Sequence, residues 1–320
     1  MTEIYGKGFG NLLSAYWSCR AYSIYKQIDF KFTEFLKINN KYYSAVSSIN
    51  KNLFKFFPLN IKYTTEYEKY KECFNDLISA TDDYTLNKLK SNQIIDFFEN
   101  KEERILLYSS HMYLGTWNNI IDLIQKETQQ NIKNYLKNKN GNLPSYKENE
   151  TVIHFRCGNV LIGCANLDYF ILKFKYFKDN IDSNCKKITI IWKIDYQDQN
   201  TKKETGKYSR DLFVISELKK YLELNLNIEV NIHNSYFSDL IYMIYAPKLI
   251  ITPSSFSFWP CIMSEHISII PKCNLLCGNR TPKLKKNLYW KNIDDYKISA
   301  HKLFETRNDD QEILKELLDI

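Results

Sequence analysis

The sequence has no apolar run approaching twenty residues, and its N-terminus, MTEIYGKGFG, carries no basic-then-apolar leader pattern. These absences speak against a membrane span and a secretory signal. A cytoplasmic location is the expectation, and it suits a viral or bacterial source. The eight cysteines are dispersed and form no paired C-x2-C knuckles. One C-x3-C pair, Cys273 and Cys277, stands near the end. Neither a zinc site nor a small disulfide scaffold is indicated, and the cysteines read mostly as buried, reduced thiols. The formal net charge of +7 is not concentrated in a stripe. The densest basic cluster, Lys283, Lys285 and Lys286 close to Arg280, reads as solvated surface. No nucleic-acid partner is expected from it.

What the sequence does have is material for a core. Hydrophobic residues make up 44% of it and aromatics 15%, with 24 Tyr and 19 Phe. Such a composition is far from that of a disordered chain. At 320 residues there is room for two domains with a cleft between α/β layers.

Along the chain, Gly6 to Asn11 is glycine-rich and runs into Leu12, Leu13, Tyr16, Trp17 and Ala21 at near-helical spacing. A loop opening a helix leaves backbone N–H groups free to hold phosphate or a sugar oxygen, although a tight turn without a ligand explains the glycines equally. Residues 30 to 100 read as several helices with loops, Arg104 to Ser109 as a buried strand, and Thr116 to Ile124 as a helix. The stretch from Gln125 to Glu150 is polar and turn-rich, so the domain boundary is placed there: residues 1–145 form an N-terminal α/β domain and 146–320 a C-terminal one. In the second half, strands at Thr151–Phe155, Ile188–Ile194, Ile228–Ile232 and Leu249–Thr252 alternate with helices at Ser209–Leu224 and Asp239–Ala246. A last helix spans Asp309–Ile320. Alternation of this kind predicts a parallel sheet with ligand at the strand C-terminal ends.

Two segments fall at those ends. In Val152-Ile-His-Phe-Arg-Cys-Gly-Asn159, period-2 alternation puts His154 and Arg156 on one face, and Gly158 permits close backbone approach. A permanently charged guanidinium there can grip a diphosphate through paired N–H donors. Taken alone, His154 reads as a satisfied core histidine, and Arg156 equally as a salt-bridge partner or a phosphate ligand. In the segment from Asp239 to Trp259, a helix, a buried strand and a Ser-Ser-Phe-Ser turn place hydroxyls and N–H groups at a helix N-terminus. Asp239 can accept from a purine edge. By themselves, Ser254 or Ser257 can be a simple N-cap and Trp259 can be core.

Together, GKGFGNLLSAYWSCRAYS, VIHFRCGN and SDLIYMIYAPKLIITPSSFSFWPCIMS resemble, in order and broad spacing, the three motif regions of the α-1,2, α-1,6 and protein-O-fucosyltransferase superfamily. The Ser-Ser-Phe-Ser-Phe-Trp string is most similar to the α-1,2 version, in which a second Trp commonly stands at the position of Phe258. The resemblance implies an α/β fold of GT-B type, with two facing Rossmann-like domains, the first on the acceptor side and the second binding the nucleotide sugar. It further implies inverting transfer of fucose from GDP-fucose to an oligosaccharide or glycan hydroxyl, with no metal and no other cofactor. Carried over, Arg156 holds the GDP phosphates and is the catalytic residue. His154 and Asp239 lie near guanine and ribose, and Ser254, Ser255 and Phe256 line the phosphate side. Gly158 and Asn159 follow the motif arginine, while Gly8, Gly10 and Asn11 approach the donor from the first domain. Two departures stand out: Cys157 occupies the place of a second basic residue, and the strand before the glycine loop is cut to Thr2–Tyr5. No motif fixes a general base, for which Asp168, Glu265 and His111 are open candidates. Another nucleotide sugar, or binding of GDP or glycan without turnover, are the alternative readings.

Overall fold

The computed structural model describes residues 121–147, 149–156, 170–193, 205–233, 236–273, 287–299 and 309–320. It also describes Gly10, Leu13, Tyr16, Trp17, Arg20, Phe57, Pro58, Leu276, Lys302 and six short strands between Phe30 and Arg104. The chain divides into two compact units, Met1–Asn142 and Leu143–Ile320.

In the first unit the strands form three antiparallel pairs. They are β1 (Phe30–Lys31) with β4 (Asn60–Ile61), β2 (Phe35–Ile38) with β3 (Lys41–Ser44), and β5 (Phe97–Glu99) with β6 (Glu102–Arg104). Among the described residues of 30 to 100 the regular structure is strand, and the rest of the stretch read as helices with loops lies outside the described residues. Helix α1 (Ile121–Asn138) begins within the expected helix of Thr116–Ile124 and continues through the polar segment until just before the Asn140–Gly141 turn. Its buried stripe is Ile121, Ile124, Thr128 and Ile132 at helical spacing, joined by Glu127. Glu127 tolerates burial because Arg20 reaches it from a helical segment whose described residues, Leu13, Tyr16, Trp17 and Arg20, are all buried. The guanidinium donates through Nε at 3.2–3.3 Å and through Nη2 at 2.8 Å, so two buried charges are paired in a fork.

The second unit is built on a six-stranded sheet in which every neighbouring pair is parallel. Its strands are β7 (Glu150–Arg156), β9 (Lys187–Lys193), β10 (Glu229–His233), β11 (Lys248–Ile251), β12 (Ile267–Pro271) and β13 (Leu288–Lys291). The spatial order is β10-β9-β7-β11-β12-β13, which in chain order is 3-2-1-4-5-6. This is the doubly wound arrangement of a Rossmann-like fold, and the order reverses between β7 and β11. A separate antiparallel pair joins β8 (Phe170–Leu172) to β14 (Lys297–Ser299).

Helices α2 (Phe174–Asp179), α3 (Thr205–Leu226) and α6 (Asp310–Leu318) cover one face. There Ile153, Phe155, Ile190, Trp192 and Ile250 pack with Phe174, Phe177, Leu218 and Leu317. Helices α4 (Tyr236–Tyr245) and α5 (Ser255–Met263) cover the other, as contacts of α4 with Glu150 and of α5 with His154 show. Chirality explains the division: a right-handed crossover places its helix on opposite faces according to the direction in which the chain moves across the sheet. Among the described residues no helix is long and apolar enough to cross a membrane.

At the N-terminal end of β7, Glu150 is 1% exposed and accepts four hydrogen bonds. Its donors are Thr189 Oγ1 (2.7 Å), the Tyr242 hydroxyl (2.7 Å), the Lys147 backbone N–H (3.1 Å) and Lys187 Nζ (3.2 Å). Burial alone pushes the carboxyl up, but the bonds from Thr189, Tyr242, Lys147 and Lys187 outweigh it and hold the group below its ordinary 4.5. A lowered folded value means that the stabilisation is complete above the unfolded value and is lost as pH falls through the folded one. Glu150→Gln is therefore expected to lower stability by about 2–4 kcal/mol at pH 7. In denaturant melts the gap between the two proteins should narrow below pH 4.5. An unchanged gap at acid pH would contradict the ionised network.

Candidate functional site

Ligands of sheets wound in this way bind outside the strand C-terminal ends where the order reverses, here at the ends of β7 and β11. Sequence alternation puts His154 and Arg156 on the α4/α5 face at the end of β7. Beyond Ile251, which pairs with His154, the chain leaves the sheet through Thr252 and Pro253 and enters α5. Thr252 binds the two ends together. Its N–H donates to the His154 carbonyl at 3.1 Å, its hydroxyl donates to the same carbonyl at 3.2 Å, and its oxygen accepts from the Arg156 N–H at 3.0 Å. The Arg156 guanidinium leans across the junction, with Nη1 donating to the Pro253 carbonyl at 3.3 Å.

Helix α5 starts beside that guanidinium because Ser254 is extended and caps it: the Ser254 hydroxyl accepts from the Phe256 N–H at 3.2 Å. Ser255 and Phe256 are half-buried in the first turn, whose N–H groups have no intrahelical partners. From Ser257 to Met263 the helix is buried, so Trp259 is a core residue and no sugar platform. A helix N-terminus facing an arginine concentrates positive potential, the electrostatic requirement for holding phosphate.

His154 is 4% exposed, and its ring lies 5.7 Å from that of Phe256. Burial, and after it the positive charge of Arg156, push its titration down from 6.5 to about 3. The ring is therefore neutral at physiological pH. Its Nδ1 is buried and has no hydrogen-bond partner among the described residues. A buried orphan beside a guanidinium departs from the satisfied core histidine that this residue resembles in isolation, and it is the kind of group that a ligand completes.

The structure thus brings together His154, Arg156, Ser254, Ser255 and Phe256, as well as Thr252, which the sequence gives no reason to single out. Asp239 stands elsewhere on the same edge, in the first turn of α4, with Oδ1 engaged by His233 at 2.6 Å. Gly10 is buried and helical in the first unit. Gly8, Asn11, Gly158 and Asn159 lie outside the described residues, as do Cys157, His111 and Asp168. Glu265 is exposed just before β12, which places it at the N-terminal edge of the sheet, opposite the site. Among the described residues no group of three or more His, Cys, Asp or Glu is arranged to hold a metal ion. Comparison with protein-family models, with curated proteins and with solved structures finds no match to this chain.

The depressed titration of His154 has a sign. The unfolded state takes up a proton below 6.5 and the folded state does not until about 3, so this group removes stability as pH falls between those values. The imidazole resonances of His154 are expected to stay at their neutral positions from pH 8 to pH 5 in an NMR titration. A midpoint near 6.5 would mean that the ring is solvated and that the orphaned nitrogen does not exist.

Proposed function

We propose that the second unit holds a nucleotide sugar at the junction of β7 and β11, and that the chain is a fucosyltransferase using GDP-fucose by an inverting, metal-independent mechanism. The supporting observation is the position of Arg156. It ends the first strand of a 3-2-1-4-5-6 sheet, beside the capped N-terminus of α5, where a diphosphate meets a fixed cation and oriented N–H groups together. The choice of guanine and fucose rests on the motif resemblance. So does a GT-B arrangement in which the first unit faces this site and binds the glycan.

In this reading Arg156 stabilises the departing diphosphate. As the acceptor hydroxyl attacks, the bond from the anomeric carbon to the phosphate oxygen breaks and negative charge gathers on GDP. The guanidinium is charged at every relevant pH and needs no reorganisation to meet that charge. His154, neutral and with Nδ1 unpaired, offers the bound nucleotide a hydrogen-bonding atom without adding charge. Ser254, Ser255 and Phe256 frame the phosphate side.

The absence of a second basic residue at Cys157 favours one other reading, a protein that binds GDP without turning it over. Titration calorimetry with GDP, and with GDP-fucose against GDP-mannose and UDP sugars, all in a metal chelator, separates the readings. Binding of GDP and GDP-fucose supports the proposal, and absence of guanine-nucleotide binding sinks it. Arg156→Ala is expected to lower GDP release from GDP-fucose by about 10²–10³-fold, as loss of an oxyanion-type donor does. Near-normal turnover in that variant would remove Arg156 from the mechanism, and wild-type binding without any turnover would favour the non-catalytic reading.

A further inference from the structure

One titratable pair on the ligand edge of the sheet takes no part in the phosphate contacts. His233 ends β10 and pairs in register with Ile191 of β9, which in turn pairs with His154 of β7. Residues in register on parallel strands share a face, so His233 and His154 lie on the α4/α5 face, two strand spacings or roughly 9–10 Å apart. Unlike His154, His233 is accessible, with 38% of its side chain exposed.

Behind it is a buried carboxylate. Asp239 is 1% exposed, and its Oδ1 lies 2.6 Å from His233 Nδ1. An ionised carboxylate can only accept, so Nδ1 carries the proton and donates it to this bond. In its neutral form the ring is thereby held in the tautomer whose Nε2 is a bare acceptor. The ring also stacks on Tyr242 at 5.5 Å and 19°, and the Tyr242 hydroxyl is anchored on Glu150. Two independent contacts hold the imidazole in place, and Nε2 has no hydrogen-bond partner among the described residues. Asp239 therefore acts on a ligand through His233.

We propose that His233 is the general base of the transfer and that Asp239 is its positioning residue. This assignment rests on the nucleotide-sugar reading above. Nε2 takes the proton from the attacking hydroxyl while that oxygen bonds to the anomeric carbon. The carbon–phosphate oxygen bond breaks, and GDP leaves with its electron pair toward Arg156. The imidazolium is held by the Asp239 carboxylate until it loses its proton to solvent. Activity requires the bare nitrogen, so it falls as acid protonates the ring. Among the described residues, the groups facing His233 are Asp239 and Tyr242 from α4, Glu150 of β7 behind the Tyr242 hydroxyl, and apolar Ile191 of β9. On its own strand, Asn231 donates to Glu229, which also pairs with Lys147.

The test compares wild type with His233→Ala, His233→Gln and Asp239→Asn. It measures GDP binding by calorimetry in a chelator and GDP release from GDP-fucose, with water as acceptor, from pH 5 to 9. In His233→Ala, GDP affinity should stay within about threefold while release falls about 10²–10⁴-fold and the acid-side loss of rate disappears. His233→Gln, which can hydrogen-bond but cannot take up a proton, should not rescue it. Asp239→Asn should keep a titrating ring but change its tautomer, visible in the imidazole nitrogen resonances. Turnover within threefold of wild type in His233→Ala, with the acid limb intact, overturns the assignment. So does a wild-type His233 carrying its proton on Nε2. Wild-type protein that neither binds GDP nor releases it from GDP-fucose instead overturns the nucleotide-sugar reading on which the assignment stands.

Discussion

The pairing of β7 with β11 is the constraint on which the second unit depends. It joins the first strand to the fourth, so the crossover helices α2 and α3 wrap one face and α4 and α5 the other. At the carboxyl end of that pairing the two strands part, and Thr252 closes the gap by bonding both the His154 carbonyl and the Arg156 N–H. The hydroxyl supplies the acceptor that the Arg156 N–H would take from a backbone carbonyl in a continuing ladder. The direction of the guanidinium and the start of α5 both follow from this one divergence.

Strand β7 also carries two kinds of buried polar group within seven residues. At its amino end, Glu150 is buried with four donors around it and no hydrogen-bonding capacity to spare. Two turns of the pleat later, His154 is also buried but its Nδ1 lacks a partner among the described residues, and Arg156 is held partly by a backbone carbonyl. Satisfied polar networks rigidify a core, whereas unsatisfied ones are retained where a ligand or a reaction makes use of them. The parallel geometry keeps the two kinds apart, because every amino end of the sheet lies on one edge and every carboxyl end on the other.

Much of this second unit was legible in the sequence. Strands buried on both faces read as short continuous runs of Ile, Val and Leu, such as Ile188 to Ile191 and Leu249 to Ile251, and the helices between them fix the parallel order. His154, Arg156 and the serine turn were visible because polar residues interrupt those runs at strand ends. Helix α1 was visible only in its first residues, Ile121 to Ile124, since two of its later buried positions, Glu127 and Thr128, are polar, and the partner that permits the first, Arg20, is 107 positions away. The β2–β3 pair was obscured by lysines and tyrosines of no clear period, although Asn39-Asn40 between them is a turn signal. His233 carries no signal of its own. It gains its carboxylate only when a strand end and the next helix's first turn fold back on each other, which no spacing rule announces.

The strand order also bears on how the unit is made. Thr252 and His154 are separated by 98 positions, yet their contact defines the centre of the sheet. As the chain emerges from a ribosome, β7, β9 and β10 are all present before β11 exists. The inner edge of β7 must therefore wait, with unpaired N–H and C=O groups and apolar side chains uncovered, while α3 and α4 are synthesised. Late closure of this kind makes folding slow and raises contact order. It also makes the half-synthesised domain a target for chaperones and for edge-to-edge association. The junction at the centre of the finished sheet is, during synthesis, a seam that cannot close until the fourth strand has been made.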